Sequence, residues 1–262
     1  MTETIFDFAK LCLSAAAGGA LNSIAGGGTL LTFPALDGVL GGQAAIVANA
    51  TSTVALFPGS LAATWGYRRE LAGTKHWILL LIGPSLLGGI LGALLLVLMP
   101  DSSFKATIPW LILTAAVLFA AQPTIARWTG IGQEHAPPTS WKAAGVVTFQ
   151  FLVAVYGGYF GAGIGILMLS SLAMMGLSDI HRMNALKTVF ASAINGVSVA
   201  VFIVVDKIDW HYAPAMIVSA IVGGYFGARG ARRLDRNLVR RGVVVMGFAL
   251  AAWYFYKQLA TQ

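Results

Sequence analysis

The chain has 262 residues, of which 57% are hydrophobic and only 10% are charged, whereas about one quarter of the residues of a soluble domain are charged. This composition excludes an ordinary soluble domain and indicates an integral membrane protein. A net charge of +7 suggests nucleic acid as a partner, but the basic residues stand in short loops beside apolar stretches, where the positive-inside rule explains them. We therefore expect the lipid bilayer, and no nucleic acid, as a partner.

The first half begins with an apolar stretch that glycines interrupt. Residues 5–25 and 29–40 are apolar, and Gly26, Gly27 and Gly28 separate them, which predicts a broken helix. The 12 residues of the second arm give about 18 Å of helix, too little for a hydrocarbon core of about 30 Å. We interpret the two arms as a re-entrant hairpin, although full crossing by both arms, with ten spans in all, fits the loop charges equally well.

Three spanning helices follow the hairpin. The predicted spans are residues 44–67, 77–99 and 108–121, the last extended by flanking residues. Residues 122–141 are polar and contain three prolines, which predicts a cytoplasmic linker. We expect residues 1–121 to form one membrane repeat and residues 142–262 a second, together making one transport domain.

The second half has the same order of elements. Residues 142–160 and 166–175 flank a second glycine break at residues 161–165, and the predicted spans are residues 183–205, 212–228 and 238–256. Two residue sets recur at one offset of 135 positions. Asn49, Ser52, Thr53 and Ser60 reappear as Asn184, Lys187, Thr188 and Asn195, and Gly88, Gly89 and Gly92 reappear as Gly223, Gly224 and Gly227. This repetition predicts a duplicated membrane protein, with the glycine sets allowing close helix packing.

The loop charges predict that the two repeats are inverted. Residues 68–75 are basic while the equivalent loop, 206–209, is net acidic; residues 101–105 are poor in basic residues while their equivalent carries six arginines. Equivalent loops therefore lie on opposite sides of the membrane, an architecture common among transporters. On this model 13 of the 17 basic residues are cytoplasmic.

The polar sets mark candidate ligands on two helices. A spacing of 0, 3, 4 and 11 places each set on one helical face, and such a face in a membrane meets protein or an aqueous cavity. Lys187 is the basic residue that lies inside an apolar stretch, so we expect it to bind an anion, unless its long stem carries the charge to the surface. Asn49, Thr51, Ser52 and Thr53 are candidate neutral donors, with hydrogen bonding between helices as the alternative.

The glycine breaks supply a second kind of anion ligand. A helix N-terminus exposes unpaired N–H groups and the positive end of the helix dipole, and the arms after Gly28 and Gly165 begin in this way. The alternative is that the glycines only permit close packing. The full predicted binding set is Gly26, Gly27, Gly28, Thr29, Asn49, Thr51, Ser52, Thr53, Gly161, Gly163, Gly165, Asn184, Lys187, Thr188 and Asn195.

The sequence lacks the residues that metal binding, cation transport or catalysis would need. The acidic residues stand near termini, loops or segment ends and the four histidines in loops, so we expect no metal site, no cofactor and no carboxylate-based cation pathway. The single cysteine, Cys12, excludes a disulfide and a cysteine-based metal site. No phosphate-binding loop or hydrolase motif occurs, so we expect a transporter and not an enzyme. The N-terminus lacks a cleavable signal pattern.

The motifs AGGGTLLTFPAL at residues 25–36, NATST at residues 49–53 and GAGIG at residues 161–165 resemble the TauE/SafE sulfite-exporter family. The resemblance implies secondary transport of sulfur-containing anions, such as sulfite or organosulfonates, across the bacterial cytoplasmic membrane. The second half departs from the first by Lys187 in place of Ser52.

We therefore expect an all-α polytopic protein of the inner membrane, with two inverted repeats that export a small anion by alternating access. An inside-negative potential favours outward movement of one negative charge by about 2.3 kcal/mol per 100 mV, so export needs no coupling ion. The alternatives are an anion channel, a transporter of another small solute, an intramembrane enzyme or a structural subunit. The sequence leaves the oligomeric state open.

Overall fold

The computed structural model describes residues 2–24, 26–129, 140–230 and 236–260. In these ranges the chain forms ten α-helices and no strand. The helices are α1 (Thr2–Ile24), α2 (Thr29–Val39), α3 (Ala45–Gly66), α4 (Lys75–Leu98), α5 (Asp101–Trp128), α6 (Ser140–Tyr159), α7 (Ile164–Met174), α8 (Ile180–Val204), α9 (Ala213–Gly230) and α10 (Arg236–Ala260).

The helices confirm an all-α polytopic membrane protein. Among the described residues, α3, α4, α5, α8 and residues 238–260 of α10 are long and apolar enough to cross a membrane. Each of them coincides with a predicted span. The remaining predicted span, residues 212–228, corresponds to α9. The apolar part of α9 that the structure describes, Ala213–Gly227, is shorter than the other five spans.

The predicted linker is shorter than expected at its start. Residues 122–128 continue α5 to Trp128, and Pro123 lies within this helix. A proline removes one backbone hydrogen bond, but the helix on both sides of it can continue with a kink. Residues 130–139 of the predicted linker lie outside the described residues.

The recurring glycines pack helices together as predicted. A Cβ added to Gly92 of α4 would stand 2.0 Å from the carbonyl oxygen of Val155 in α6, and one added to Gly223 of α9 would stand 1.9 Å from that of Ala16 in α1. Only glycine allows such close contact between two backbones. The pairs α4–α6 and α9–α1 are equivalent under the offset of 135, so each half of the chain packs against the hairpin of the other half.

Equivalent helices of the two halves run antiparallel. Between α3 and α8, Gly196 faces Phe57 and Ser192 bonds to Thr64. Residue numbers along this contact therefore increase in one helix and decrease in the other. Helices α5 and α10 behave likewise, with Ala116 against Gly247 and Trp110 against Phe255. An inverted repeat predicts this arrangement, because a two-fold axis in the membrane plane turns equivalent helices end for end.

Each glycine break connects two antiparallel arms. In the first hairpin Gly18 of α1 lies against Gly28 and Thr32, and in the second Ser171 of α7 bonds to Gln150 of α6. Helices α1 and α6 have 23 and 20 residues, so each is at least about 30 Å long, whereas the 11 residues of α2 and α7 reach only about 16 Å. The second arms are therefore about half as long as a membrane crossing.

Candidate functional site

The two glycine breaks meet. A Cβ added to Gly26 would stand 4.0 Å from Cα of Gly165, so the first break touches the first turn of α7. Gly26, Gly161 and Gly163 have φ angles of +78°, +83° and +80°, a left-handed conformation that favours glycine. The glycines thus serve both the chain reversal and the approach of the two hairpins.

A cavity lies where the breaks meet. Its volume is about 60 Å³, on a scale on which one water molecule needs about 10–15 Å³. Equivalent positions of the two halves of the chain line it in pairs, so the cavity lies between the two halves. The five pairs are Gly26 with Gly161, Thr29 with Ile164, Thr53 with Thr188, Leu56 with Ala191, and Ser60 with Asn195.

Lys187 gives the cavity its charge. Among the described residues that line the cavity, it alone carries a charged side chain. Its aliphatic stem crosses Gly165, where an added Cβ would stand 3.2 Å from Cδ. The side chain is half-buried. A cation in this setting favours a negatively charged ligand, because the surrounding protein screens it less than water does.

Two helix N-termini contribute further positive potential. Thr29 at the start of α2 and Ile164 at the start of α7 both line the cavity. Neither N-terminus is capped by a side-chain hydrogen bond. The positive ends of both helix dipoles therefore lie at the cavity wall, where they stabilise negative charge.

The neutral polar side chains of the cavity differ in the hydrogen bonds that they already make. Thr53 and Thr188 donate their hydroxyl protons to backbone carbonyls one turn back, at Asn49 and Ala185, over 2.9 and 2.8 Å. The carboxamide of Asn195 has no hydrogen-bond partner among the described residues. Asn195 can therefore bind a ligand without breaking an existing bond, whereas the two threonines must first rotate their hydroxyl groups.

Comparison with known proteins identifies the family. Residues 11–254 match the family model described as Sulfite exporter TauE/SafE. The chain belongs to the sulfite exporter TauE/SafE family. It is accordingly a multi-pass membrane transporter, and the resemblance expected from the glycine-rich motifs is confirmed.

Several curated proteins are similar to this chain over most of their length. A "probable membrane transporter protein" of Haemophilus influenzae is 28% identical over 239 residues, covering 91% of this chain and 90% of its own. The "probable membrane transporter protein ORF9" of a Sinorhizobium species is 28% identical over 249 residues, covering 93% and 90%. The "probable membrane transporter protein YfcA" of Escherichia coli K12 is 27% identical over 242 residues, covering 91% and 86%. Comparison with the solved structures finds no significant match.

Eight of the predicted ligands line the cavity of this TauE/SafE protein, but three predicted glycines lie beside it in packing roles. Gly27 lies against the ring of Phe119, Gly28 against the carbonyl of Gly18, and Gly163 near Leu118. Their lack of a side chain serves contacts between helices, which is the alternative that the sequence left open. The eight residues that do line the cavity are Gly26, Thr29, Thr53, Gly161, Gly165, Lys187, Thr188 and Asn195.

Four predicted polar ligands also lie outside the cavity and hold the fold together. Asn49 donates to the carbonyl of Tyr159, Thr51 accepts from the backbone N–H of Asp209, and Ser52 bonds to Thr32. Asn184 donates to the carbonyl of Ile180 in its own helix. The cavity therefore begins one turn beyond Asn49 in α3 and one turn beyond Asn184 in α8.

Helix α1 supplies lining residues that the predicted binding set lacks. Gly19, Asn22, Ser23 and the following Gly26 line the cavity, and Nδ2 of Asn22 donates to Oγ of Ser60 over 3.4 Å. Their spacing of 0, 3, 4 and 7 is a helical stripe of small and polar residues. That stripe is the sequence signal that would have identified this wall.

Proposed function

We propose that this transporter exports small sulfur-containing anions, such as sulfite and organosulfonates, across the cytoplasmic membrane by alternating access. The observation that carries the proposal is the position of Lys187, the one charged side chain among the described residues of the cavity wall, beside the N-termini of α2 and α7. A ligand with one negative charge complements this wall. A cationic solute would meet repulsion from Lys187 and from both helix dipoles.

The remaining wall suits an oxyanion. Several oxygen atoms on one small ligand can accept hydrogen bonds from different directions at once. Lys187 would provide the charge, Asn195 a carboxamide donor, and the lining glycines Gly26 and Gly165, beside the starts of α2 and α7, a close backbone approach. Thr53 and Thr188 would complete the shell after their hydroxyl groups rotate.

The direction of transport follows from charge. We assign the end of the molecule with Arg68, Arg69 and Arg182 to the cytoplasm, following the positive-inside rule. The two repeats would then cross the membrane in opposite directions, with the short second arms as parts of re-entrant hairpins. The inside-negative potential would drive one negative charge outward with about 2.3 kcal/mol per 100 mV.

Ligand-induced stabilisation of the purified protein tests the proposal. The ligands are sulfite, sulfate, thiosulfate, sulfoacetate, taurine and chloride. A ligand at 100 times its Kd stabilises the folded state by about 2.7 kcal/mol, which raises the melting temperature. We expect a selective rise with a sulfur-containing anion, its loss in Lys187→Ala, and its retention in Lys207→Ala, which removes a lysine outside the cavity. An equal rise in Lys187→Ala, or no rise with any anion, would refute anion binding at Lys187.

A further inference from the structure

The cavity breaks the symmetry between the two repeats. Besides five pairs of equivalent positions and Phe160, Gly165 and Lys187 of the second half, the cavity is lined by Asn22 and Ser23 of α1 and by Gly59 and Ala63 of α3. All four residues are half-buried. Their equivalents 135 positions later are Gly157, Gly158, Ile194 and Ser198, which are buried and do not line the cavity.

The equivalent positions are closed by direct packing. A Cβ on Gly157 would stand 3.1 Å from Cγ2 of Ile194, and one on Gly158 would stand 2.2 Å from the carbonyl oxygen of Gly89. Ser198 is 1% exposed, and its hydroxyl donates to the carbonyl of Ile194 over 2.8 Å. Helices α4, α6 and α8 therefore touch where α1 and α3 leave space.

Aromatic rings fill the region beside this closed side. Phe160, which follows α6 and forms part of the cavity wall, packs edge-on against Phe33 with ring centroids 5.6 Å apart. Phe33 in turn contacts Phe104, and Phe104 contacts Tyr159. The three phenylalanines are almost fully buried. Closure on this side thus involves the second hairpin, α2 and the start of α5.

We propose that Gly157, Gly158, Ile194 and Ser198 line a second access route, which opens to the opposite membrane face when the route along Asn22 and Ala63 closes. Because the two halves share their backbone packing, the conformation of one half is available to the other. Exchange of the two conformations moves the opening from one end of the cavity to the other. This inference rests on the proposed alternating access but on no particular substrate.

Cysteine labelling tests the route at a matched pair of positions. Ala63→Cys and Ser198→Cys are equivalent under the repeat, and each is made in full-length protein that carries Cys12→Ser, since Cys12 is the one native cysteine. A charged, membrane-impermeant methanethiosulfonate is added to right-side-out and to inside-out membrane vesicles. The rate of modification is measured from each face.

We expect Ala63→Cys to react from the face that carries Arg68, and Ser198→Cys to react from the opposite face alone. A minor state is populated at about 0.1–10%, so Ser198→Cys should react about 10- to 1,000-fold more slowly. Asn195→Cys, in the shared part of the cavity, should react from both faces. Ser85→Cys, equally buried between α4 and α6 but away from both routes, should stay unmodified.

Three results would each overturn the second route. The first is modification of Ser198→Cys from the same face as Ala63→Cys. The second is a lack of modification of Ser198→Cys from either face after more than 1,000 half-times of Ala63→Cys. The third is reaction of Asn195→Cys from one face only. These rates involve no anion, so a failed anion titration together with the expected labelling would refute the substrate and leave the route intact.

Discussion

Gly165 of α7 lies directly beneath the side chain of Lys187 in α8, with 3.2 Å between the position of an added Cβ and Cδ of the lysine. Gly165 also touches Gly26 of the first hairpin. One glycine therefore joins the charged group of the cavity to both chain breaks. Its lack of a side chain sets the path of the lysine stem and hence the position of the charge.

Substitution of Gly165 should affect ligand binding more than stability. A methyl group at this position would push the stem of Lys187 by a few tenths of an ångström, because contacts at 3.2 Å are too tight to accept without movement. We expect Gly165→Ala to weaken anion binding about tenfold, equivalent to about 1.4 kcal/mol. Titration of the purified variant with the stabilising anion measures this loss.

Gly59→Ala is the matched control for Gly165→Ala. Gly59 also lines the cavity, but an added Cβ there meets nothing within 4 Å. Alanine favours the helix by up to about 1 kcal/mol over glycine, so this variant should be as stable as the parent or more so. Equal anion affinities for the two variants would contradict a role of Gly165 in placing Lys187.

Asn195 should contribute to binding where Asn184 does not. Both asparagines belong to the polar stripe of α8, but only Asn195 lines the cavity, and Asn184 is bonded to Ile180. Loss of one neutral hydrogen bond costs about 0.5–1.5 kcal/mol, so Asn195→Ala should lower anion affinity about two- to tenfold. Isothermal titration should find the affinity of Asn184→Ala unchanged, and a larger loss there than in Asn195→Ala would reject this assignment.

The helices could be predicted from the sequence because their signals are local. Long apolar stretches ended by charged loops mark α3, α4, α5 and α8, and glycine runs mark both breaks. The offset of 135 positions also predicted which glycines approach other helices. The predicted end of α5 was wrong, because the helix continues to Trp128. Near a membrane surface, protein or water can form the hydrogen bonds that a proline leaves unmade, so prolines and polar residues there do not end a helix.

The site was harder to predict, because helical spacing shows which residues share one face of a helix but not what that face contacts. Asn49 and Thr53 share one face, yet only Thr53 reaches the cavity. Asp37 shows the same limit. It stands at the end of α2, as the sequence indicated, but it is only 4% exposed and accepts a hydrogen bond from Tyr254, 217 residues away. No local pattern encodes a contact over that distance.

The bond between Asp37 and Tyr254 should stabilise the fold. The phenol of Tyr254 donates to Oδ2 of Asp37 over 2.9 Å and joins α10 to the first hairpin. Hydrogen bonds to charged groups contribute about 1.5–3 kcal/mol, so Tyr254→Phe should lower the free energy of unfolding by this amount. Denaturant titration in detergent measures the change. Tyr256→Phe, at a residue 67% exposed, should change it by less than about 0.5 kcal/mol, and equal effects would argue against the bond.

The start of α8 should make stability depend on pH. Asp179 precedes the helix and accepts hydrogen bonds from the backbone N–H groups of His181 and Arg182, which lower the pKa of its carboxyl below the ordinary value. Between the two pKa values the unfolded chain binds more protons than the folded chain. The stabilisation is therefore complete above the unfolded pKa of about 3.9 and is lost as pH falls through the lower folded pKa.

Two substitutions at Asp179 separate the charge from the cap. Asp179→Ala removes both, so its melting temperature should fall below that of the parent at neutral pH, with the difference shrinking as pH falls below about 4. Asp179→Asn keeps an oxygen that accepts from the same N–H groups but cannot titrate in this range, so it should retain most of the stability at neutral pH. Melting curves of the three proteins from neutral pH to about pH 3 give the comparison. A gap between Asp179→Ala and the parent that stays constant over this range would show that the carboxylate charge adds nothing to the cap.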